Sequence, residues 1–211
     1  MKQVLVYGDS LTWGIIPGSR RRLAASQRWP VILEAGLLRN GHAVRVIEDA
    51  LNGRRTVWDD PFKPGRNGLD GLQQRIEVNA PLALVIVMLG INDFQSVHQF
   101  PAAQSARGIA SLVRAIRSAP IEPEMPVPPI LIVAPPLPGV PAGDMAEKFE
   151  GAPRRSAGLS QAYSAIAEEE RCGFFDAARV ISTSRVDGVH LDADQHEVLG
   201  RELVRTVGAL L

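Results

Sequence analysis

Short apolar runs alternate with stretches of helical period along the whole chain. Val4–Tyr7, Ala43–Glu48, Leu82–Leu89 and Ile130–Ala134 are rich in Val, Ile and Leu, and Gly173–Asp176 makes a shorter fifth run. Runs of this length, bounded by Gly, Pro and Asp, read as buried strands. Between them the pattern predicts helices. Arg28–Arg39 has Pro30 in its first turn and Asn40-Gly41 as its stop. Leu69–Val78 follows. In Pro101–Ser118 the residues Ile109, Leu112, Val113 and Ile116 share one face. Ser156–Glu170 and Asp194–Leu210 complete the set. Strands that alternate with helix-length crossovers can pair in parallel, and helices then cover both faces of the sheet. The expectation is an α/β fold with a parallel sheet. A chain of 211 residues is long enough for one core, so a single domain over 1–211 is expected. No internal repeat or low-complexity tail interrupts it.

Sheets of this kind hold ligands outside the carboxyl ends of their strands. The residues at those exits therefore matter most. Gly8-Asp9-Ser10 follows the first strand, Asn52-Gly53-Arg54-Arg55-Thr56 the second, and Gly90-Ile91-Asn92-Asp93 the third. A serine hydroxyl is a weak nucleophile and needs a base and a group to orient that base. Asp187-Gly188-Val189-His190, near the other end of the chain, supplies both. Acyl transfer further needs donors aimed at a developing oxyanion. The N–H groups of Ser10 and Gly53 and the Asn92 amide are candidates. Taken singly, each motif is ordinary turn or cap chemistry. Their order along the chain is what carries the reading.

Other function classes find little support. Lys and Arg number 23 against 23 Asp and Glu. A balanced chain has no general attraction to nucleic acid or an anionic membrane, and neither is an expected partner. Arg20-Arg21-Arg22 reads as a solvated loop. Cys172 is the single cysteine, which excludes an internal disulfide and a cysteine zinc site. His42, His98, His190 and His196 have no metal-ligand spacing, so no metal or other cofactor is expected. His196 reads as a surface residue of the last helix. No apolar stretch is long enough to span a bilayer, and no secretory leader precedes the first strand. A soluble, cytoplasmic protein is expected. Gly-x-Ser-x-Gly is absent. So are a phosphate loop and Gly-x-Gly-x-x-Gly, which argues against nucleotide and redox readings.

Gly8-Asp9-Ser10-Leu11, Gly53, Gly90-Ile91-Asn92-Asp93 and Asp187-Gly188-Val189-His190 together resemble the four blocks of the SGNH (GDSL-type) hydrolase family. They occur in the family's order and span nearly the whole chain. The resemblance implies a flavodoxin-like three-layer α/β/α sandwich around a mostly parallel five-stranded sheet. It implies Ser10 as nucleophile, His190 as base and Asp187 as its orienter. It implies an oxyanion hole of Ser10, Gly53 and Asn92, with Asn52 as the alternative register for the second block. Asp9 and Asp93 match positions with supporting hydrogen bonds. Ser10-Leu11-Thr12-Trp13-Gly14 and Val180-Ile181-Ser182-Thr183 resemble a narrower group of bacterial arylesterases and acetyl esterases. Some of these transfer acyl groups to alcohols in water, and relatives form oligomers.

The expected substrate is a small ester, with water or an alcohol as acceptor. Leu11, Trp13, Ile91 and Val189, with Phe94 and Phe149 beside them, are the candidates for the acyl pocket. Their size predicts a short acyl group, acetyl to butyryl, on an aryl, alkyl or sugar alcohol. A proline-rich flap, Pro120–Pro141, is expected to pack against another subunit of a homo-oligomer. The rivals are a lysophospholipase or thioesterase on longer chains, and a non-catalytic carbohydrate-binding module.

Overall fold

The computed structural model describes residues 1–211. Five strands form one sheet: β1 (Lys2–Gly8), β2 (Val44–Ala50), β3 (Leu84–Met88), β4 (Ile130–Ala134) and β5 (Gly173–Asp176). Their order is β2-β1-β3-β4-β5, and every pairing is parallel. All residues of β3 and β4 are buried, as strands covered on both faces must be. At the β2 edge most residues are only half-buried. The reversal of chain direction across the sheet falls between β1 and β3. Ligands of doubly wound folds bind at such a switch point.

The helices are α1 (Ser10–Trp13), α2 (Trp29–Arg39), α3 (Leu72–Asn79), α4 (Ala102–Arg117), α5 (Ala152–Arg155), α6 (Leu159–Glu169) and α7 (Ala193–Gly208). They pack in two groups, α2 with α7 and α4 with α3 and α6, which completes a three-layer α/β/α sandwich. Two glycines let α2 and α7 approach closely. A Cβ on Gly36 would lie 2.4 Å from Val204, and one on Gly200 would lie 2.8 Å from Ile32.

Three expectations need correction. The helix predicted over Ser156–Glu170 begins three residues later, as α6 (Leu159–Glu169), and the short α5 (Ala152–Arg155) precedes it. Gly158, left-handed at φ 81, reorients the backbone just before α6. Pro120–Pro141 is not one flap, because its centre is the fully buried strand β4. His196 is not a surface residue; it is fully buried. Leu199, Leu203 and Val207 form the buried stripe of α7, and His196 sits one turn earlier on that stripe. Its Nδ1 accepts the Trp29 N–H at 3.4 Å, and its Nε2 has no partner. Burial, with a smaller contribution from Arg28, lowers its pKa to about 4.

Candidate active site

β1 ends at Gly8, and the chain folds back at once into α1. A Cβ on Gly8 would stand 2.2 Å from the Thr12 hydroxyl, so only glycine allows this return. Asp9 caps α1 by accepting the Leu11 N–H at 2.9 Å. Ser10 is the first residue of α1, and its N–H is one of the first-turn donors that a helix leaves without an acceptor of its own.

The exit of β3 turns on Gly90, at φ 123. A Cβ there would meet the Tyr163 hydroxyl at 2.0 Å. Asn92 follows in a tight turn, Ile91–Phe94. Gln95 donates to Asn92 Oδ1 at 2.8 Å and so fixes which way the carboxamide faces. Asn92 Nδ2 donates to Asp9 Oδ2 and to the Arg54 carbonyl, both at 3.1 Å. Both of its hydrogens are engaged. Asp93 accepts the Thr56 N–H at 3.0 Å and the hydroxyls of Thr56 and Ser105 at 2.8 and 2.6 Å. Arg54, nearly fully buried, donates to the Gly8 and Asp49 carbonyls at 2.9 and 2.8 Å and to the Asp49 carboxylate at 2.7 Å. These bonds stitch the exits of β1, β2 and β3 together.

Gly53 follows β2 at φ 84, and its N–H donates to no acceptor in the protein. At the far end of the chain, Asp187 Oδ2 lies 2.7 Å from His190 Nδ1. Its Oδ1 accepts the N–H groups of Val189 and His190, both at 2.9 Å. Gly188, at φ 73, makes this turn. A Cβ on it would strike the Val140 carbonyl at 2.2 Å.

Electrostatics separates the carboxylates. Burial pushes Asp9 up to about 7, against the pull of the Leu11 N–H, Arg54 and Asn92. Burial also raises Asp93, despite the donors from Ser105 and Thr56. Burial would raise Asp187 as well, but the hydrogen bonds from the His190 ring and from the two N–H groups outweigh it and hold the carboxyl at about 2. Asp187 is thus the carboxylate suited to fixing a ring tautomer and stabilising an imidazolium.

Ser10, Asn52, Gly53, Asn92 and His190 line one cavity of about 30 Å³. Ser10 is 5% exposed there. No hydrogen bond joins its hydroxyl to His190; such contacts commonly tighten only around a substrate. A second cavity of about 120 Å³ adjoins on the Asp187 side of His190, walled by Ile15, Ala142, Met145 and Val186. A larger hollow of about 520 Å³ between α2 and α7 contains none of the strand-exit residues. No group of three or more His, Cys, Asp or Glu side chains is placed to hold a metal ion. No helix is long and apolar enough to cross a membrane.

Of the residues expected in an acyl pocket, Phe149 lines the cavity beside Ser10. Leu11, Ile91, Phe94 and Val189 are buried in the core and line neither cavity. Trp13 carries the Arg22 guanidinium 4.7 Å from its ring centre. Arg22 also pairs with Glu48 at 3.3 Å, so that arginine is not merely solvated. Sequence reasoning missed Ile15, Arg20, Lys63, Met145 and Lys148, all of which line the Ser10 cavity. The last two precede the expected Phe149 by four residues and by one, and that proximity was the available signal.

The family model described as the GDSL-like lipase/acylhydrolase family matches residues 6–198. Among solved structures, the chain is similar to the inhibitor-bound M. smegmatis aryl esterase, with 34% identity and a TM-score of 0.94 over 100% of both chains. It is similar to a carbohydrate acetylesterase family member from Sinorhizobium meliloti, with 39% identity and a TM-score of 0.93 over 100% of this chain and 99% of that one. A further carbohydrate acetylesterase from Sinorhizobium meliloti shares 35% identity, with a TM-score of 0.93 over 100% of both chains. No curated protein gives a significant match.

Proposed function

Since the chain belongs to the GDSL-like lipase/acylhydrolase family and is a carboxylic ester hydrolase, we propose that Ser10, His190 and Asp187 form its catalytic triad and that it acts on short-chain esters. Residues 1–211 work as one hydrolase domain. The observation that carries this reading is the single cavity wall shared by Ser10, Gly53, Asn92 and His190, with Asp187 2.7 Å behind the histidine ring.

The steps follow from the groups at hand. Ser10 Oγ attacks the ester carbonyl carbon as His190 Nε2 takes its proton. Asp187 holds Nδ1–H and stabilises the imidazolium that results. The carbonyl oxygen becomes an oxyanion, met by the N–H groups of Ser10 and Gly53. Asn92 joins them by sharing a hydrogen that otherwise lies on the Arg54 carbonyl or Asp9. The C–O bond to the alcohol then breaks, and His190 returns its proton to the leaving oxygen. Water, deprotonated by His190, attacks the acyl-enzyme and frees Ser10. An alcohol entering in place of water gives acyl transfer.

The space beside Ser10 is small, about 30 Å³, which favours the shortest acyl groups over long ones. Val186, which lines the adjoining cavity, and Val140, against the Gly188 turn, are 58% and 85% exposed, an apolar edge suited to cover by a second subunit. We infer a homo-oligomer, which light scattering would test.

The test of the catalytic reading is hydrolysis of p-nitrophenyl acetate, butyrate and octanoate by the wild type and by Ser10→Ala. Acetate should be fastest. The alanine variant should lose about 10⁴-fold or more in kcat. Fastest turnover of octanoate would favour the long-chain lipase reading. Unchanged rates in Ser10→Ala would remove Ser10 as nucleophile.

A further inference from the structure

The cavity beside Ser10 has a charge that its proposed chemistry does not use. Arg20, Lys63 and Lys148 all line it, and no carboxylate does. The chain as a whole is neutral, so this clustering is not a consequence of a basic composition. None of the three forms an ion pair within the protein. Asp60, the acidic group that acts most strongly on Lys148, is already engaged. It pairs with the buried Arg55 at 3.0 Å and accepts the N–H groups of Phe62 and Lys63. Asp144 and Asp187 line only the neighbouring cavity, which Arg20 borders as well, and neither pairs with it.

The three cations come from separate loops and still act on one another. Burial lowers the Lys148 ammonium, partly offset by Asp60 and reinforced by Arg20, Arg55 and Lys63. Arg20 is held at φ 55, a left-handed conformation uncommon for a residue with a long side chain. Strain of this kind gathers at ligand-gripping positions. Three unpaired cations at one cavity mouth repel each other, and a bound anion would relieve that repulsion.

Building on the triad reading, we propose that the preferred substrates are esters that carry a negative charge, a carboxylate or phosphate on either the acyl or the alcohol portion, bound by Arg20, Lys63 and Lys148. The N–H donors at Ser10 and Gly53 serve the reacting oxygen. The longer cationic side chains reach a charge set further out on the substrate.

Two matched pairs test this and locate the charge. Monomethyl succinate against methyl butyrate places an anion on the acyl side. 4-Acetoxybenzoate against its methyl ester places one on the alcohol side. In at least one pair the anionic ester should lead by about tenfold in kcat/KM, as expected for a charged hydrogen bond. Added NaCl should shrink that lead. Lys148→Met and Arg20→Met should each shrink it, and Lys148→Arg should keep it. Equal kcat/KM within both pairs, or a lead unchanged in the double Met variant, overturns the proposal. Calorimetric titration of Ser10→Ala with the same four esters separates the two readings. Anion-selective binding without Ser10-dependent turnover retains the anion site and removes the triad. Turnover of all four esters at equal efficiency retains the triad and removes the anion site.

Discussion

The Asn92 carboxamide donates to the Asp9 carboxylate across 3.1 Å, joining the exit of β3 to that of β1. Asp9 is buried, and its pKa of about 7 lies far above the ordinary value of 3.8. The folded protein therefore binds a proton more tightly here than the unfolded chain does. Stability from this group is fully present below pH 3.8 and is lost as pH rises through about 7. Asp9→Asn removes the titration while keeping a polar cap. In thermal melts from pH 4 to 8, the variant should gain on the wild type as pH rises, by at most about 4 kcal/mol across the window. A constant offset between the two curves would place the charge elsewhere.

His196 works in the opposite direction. Its pKa of about 4 lies below the ordinary 6.5, because a charged ring is disfavoured against α2. Here the unfolded chain binds protons more tightly. Stability is fully present above pH 6.5 and is lost as pH falls toward 4, by at most about 3 kcal/mol. His196→Leu leaves the Trp29 N–H without its acceptor and should melt lower at pH 8 by about 1–2 kcal/mol. Its deficit should narrow as pH falls toward 4. Because Asp9 and His196 titrate in overlapping windows with opposite sign, the wild-type curve should be flatter than that of either variant.

Replacing Asp187 tests the orientation of the histidine. Asp187→Asn keeps the size of the side chain but no longer favours the Nδ1–H tautomer. kcat on p-nitrophenyl acetate should fall about 10⁴-fold. A loss of tenfold or less would show that the ring is held by other contacts.

Gly188→Ala tests the turn between the two residues. At φ 73, with a Cβ placed 2.2 Å from the Val140 carbonyl, alanine must displace backbone. A stability loss of about 3 kcal/mol is expected from strain. kcat should fall with it, because the same turn aims Asp187 and His190. Full activity with only a lower Tm would mean that the turn can shift without moving either side chain.

Much of this architecture was legible in the chain, and each miss has a physical reason. The strands announced themselves because parallel strands buried on both faces need unbroken apolar runs. The residues of the candidate site were legible because they sit at strand ends or in one tight glycine turn. Leu11 was expected in the pocket as the neighbour of Ser10. In a helix, one residue is a rotation of about 100°, which carries that side chain into the core. His196 was readable from Leu199, Leu203 and Val207, had their helical phase been carried back one turn. Arg20, Lys63 and Lys148 were not readable. They lie in irregular loops far apart in sequence, and no period relates one to another.

The stitching of the three strand exits has a consequence for how such a protein can diversify. Arg54, Asn92 and Asp93 tie the candidate site to the sheet through buried bonds. Arg20, Lys63 and Lys148 belong to none of those bonds and stand on loops outside the strands. On the proposed reading, reaction and selectivity reside in separable parts. A new repertoire of substrates can be written on the rim by ordinary surface substitutions, leaving the machinery beneath it untouched.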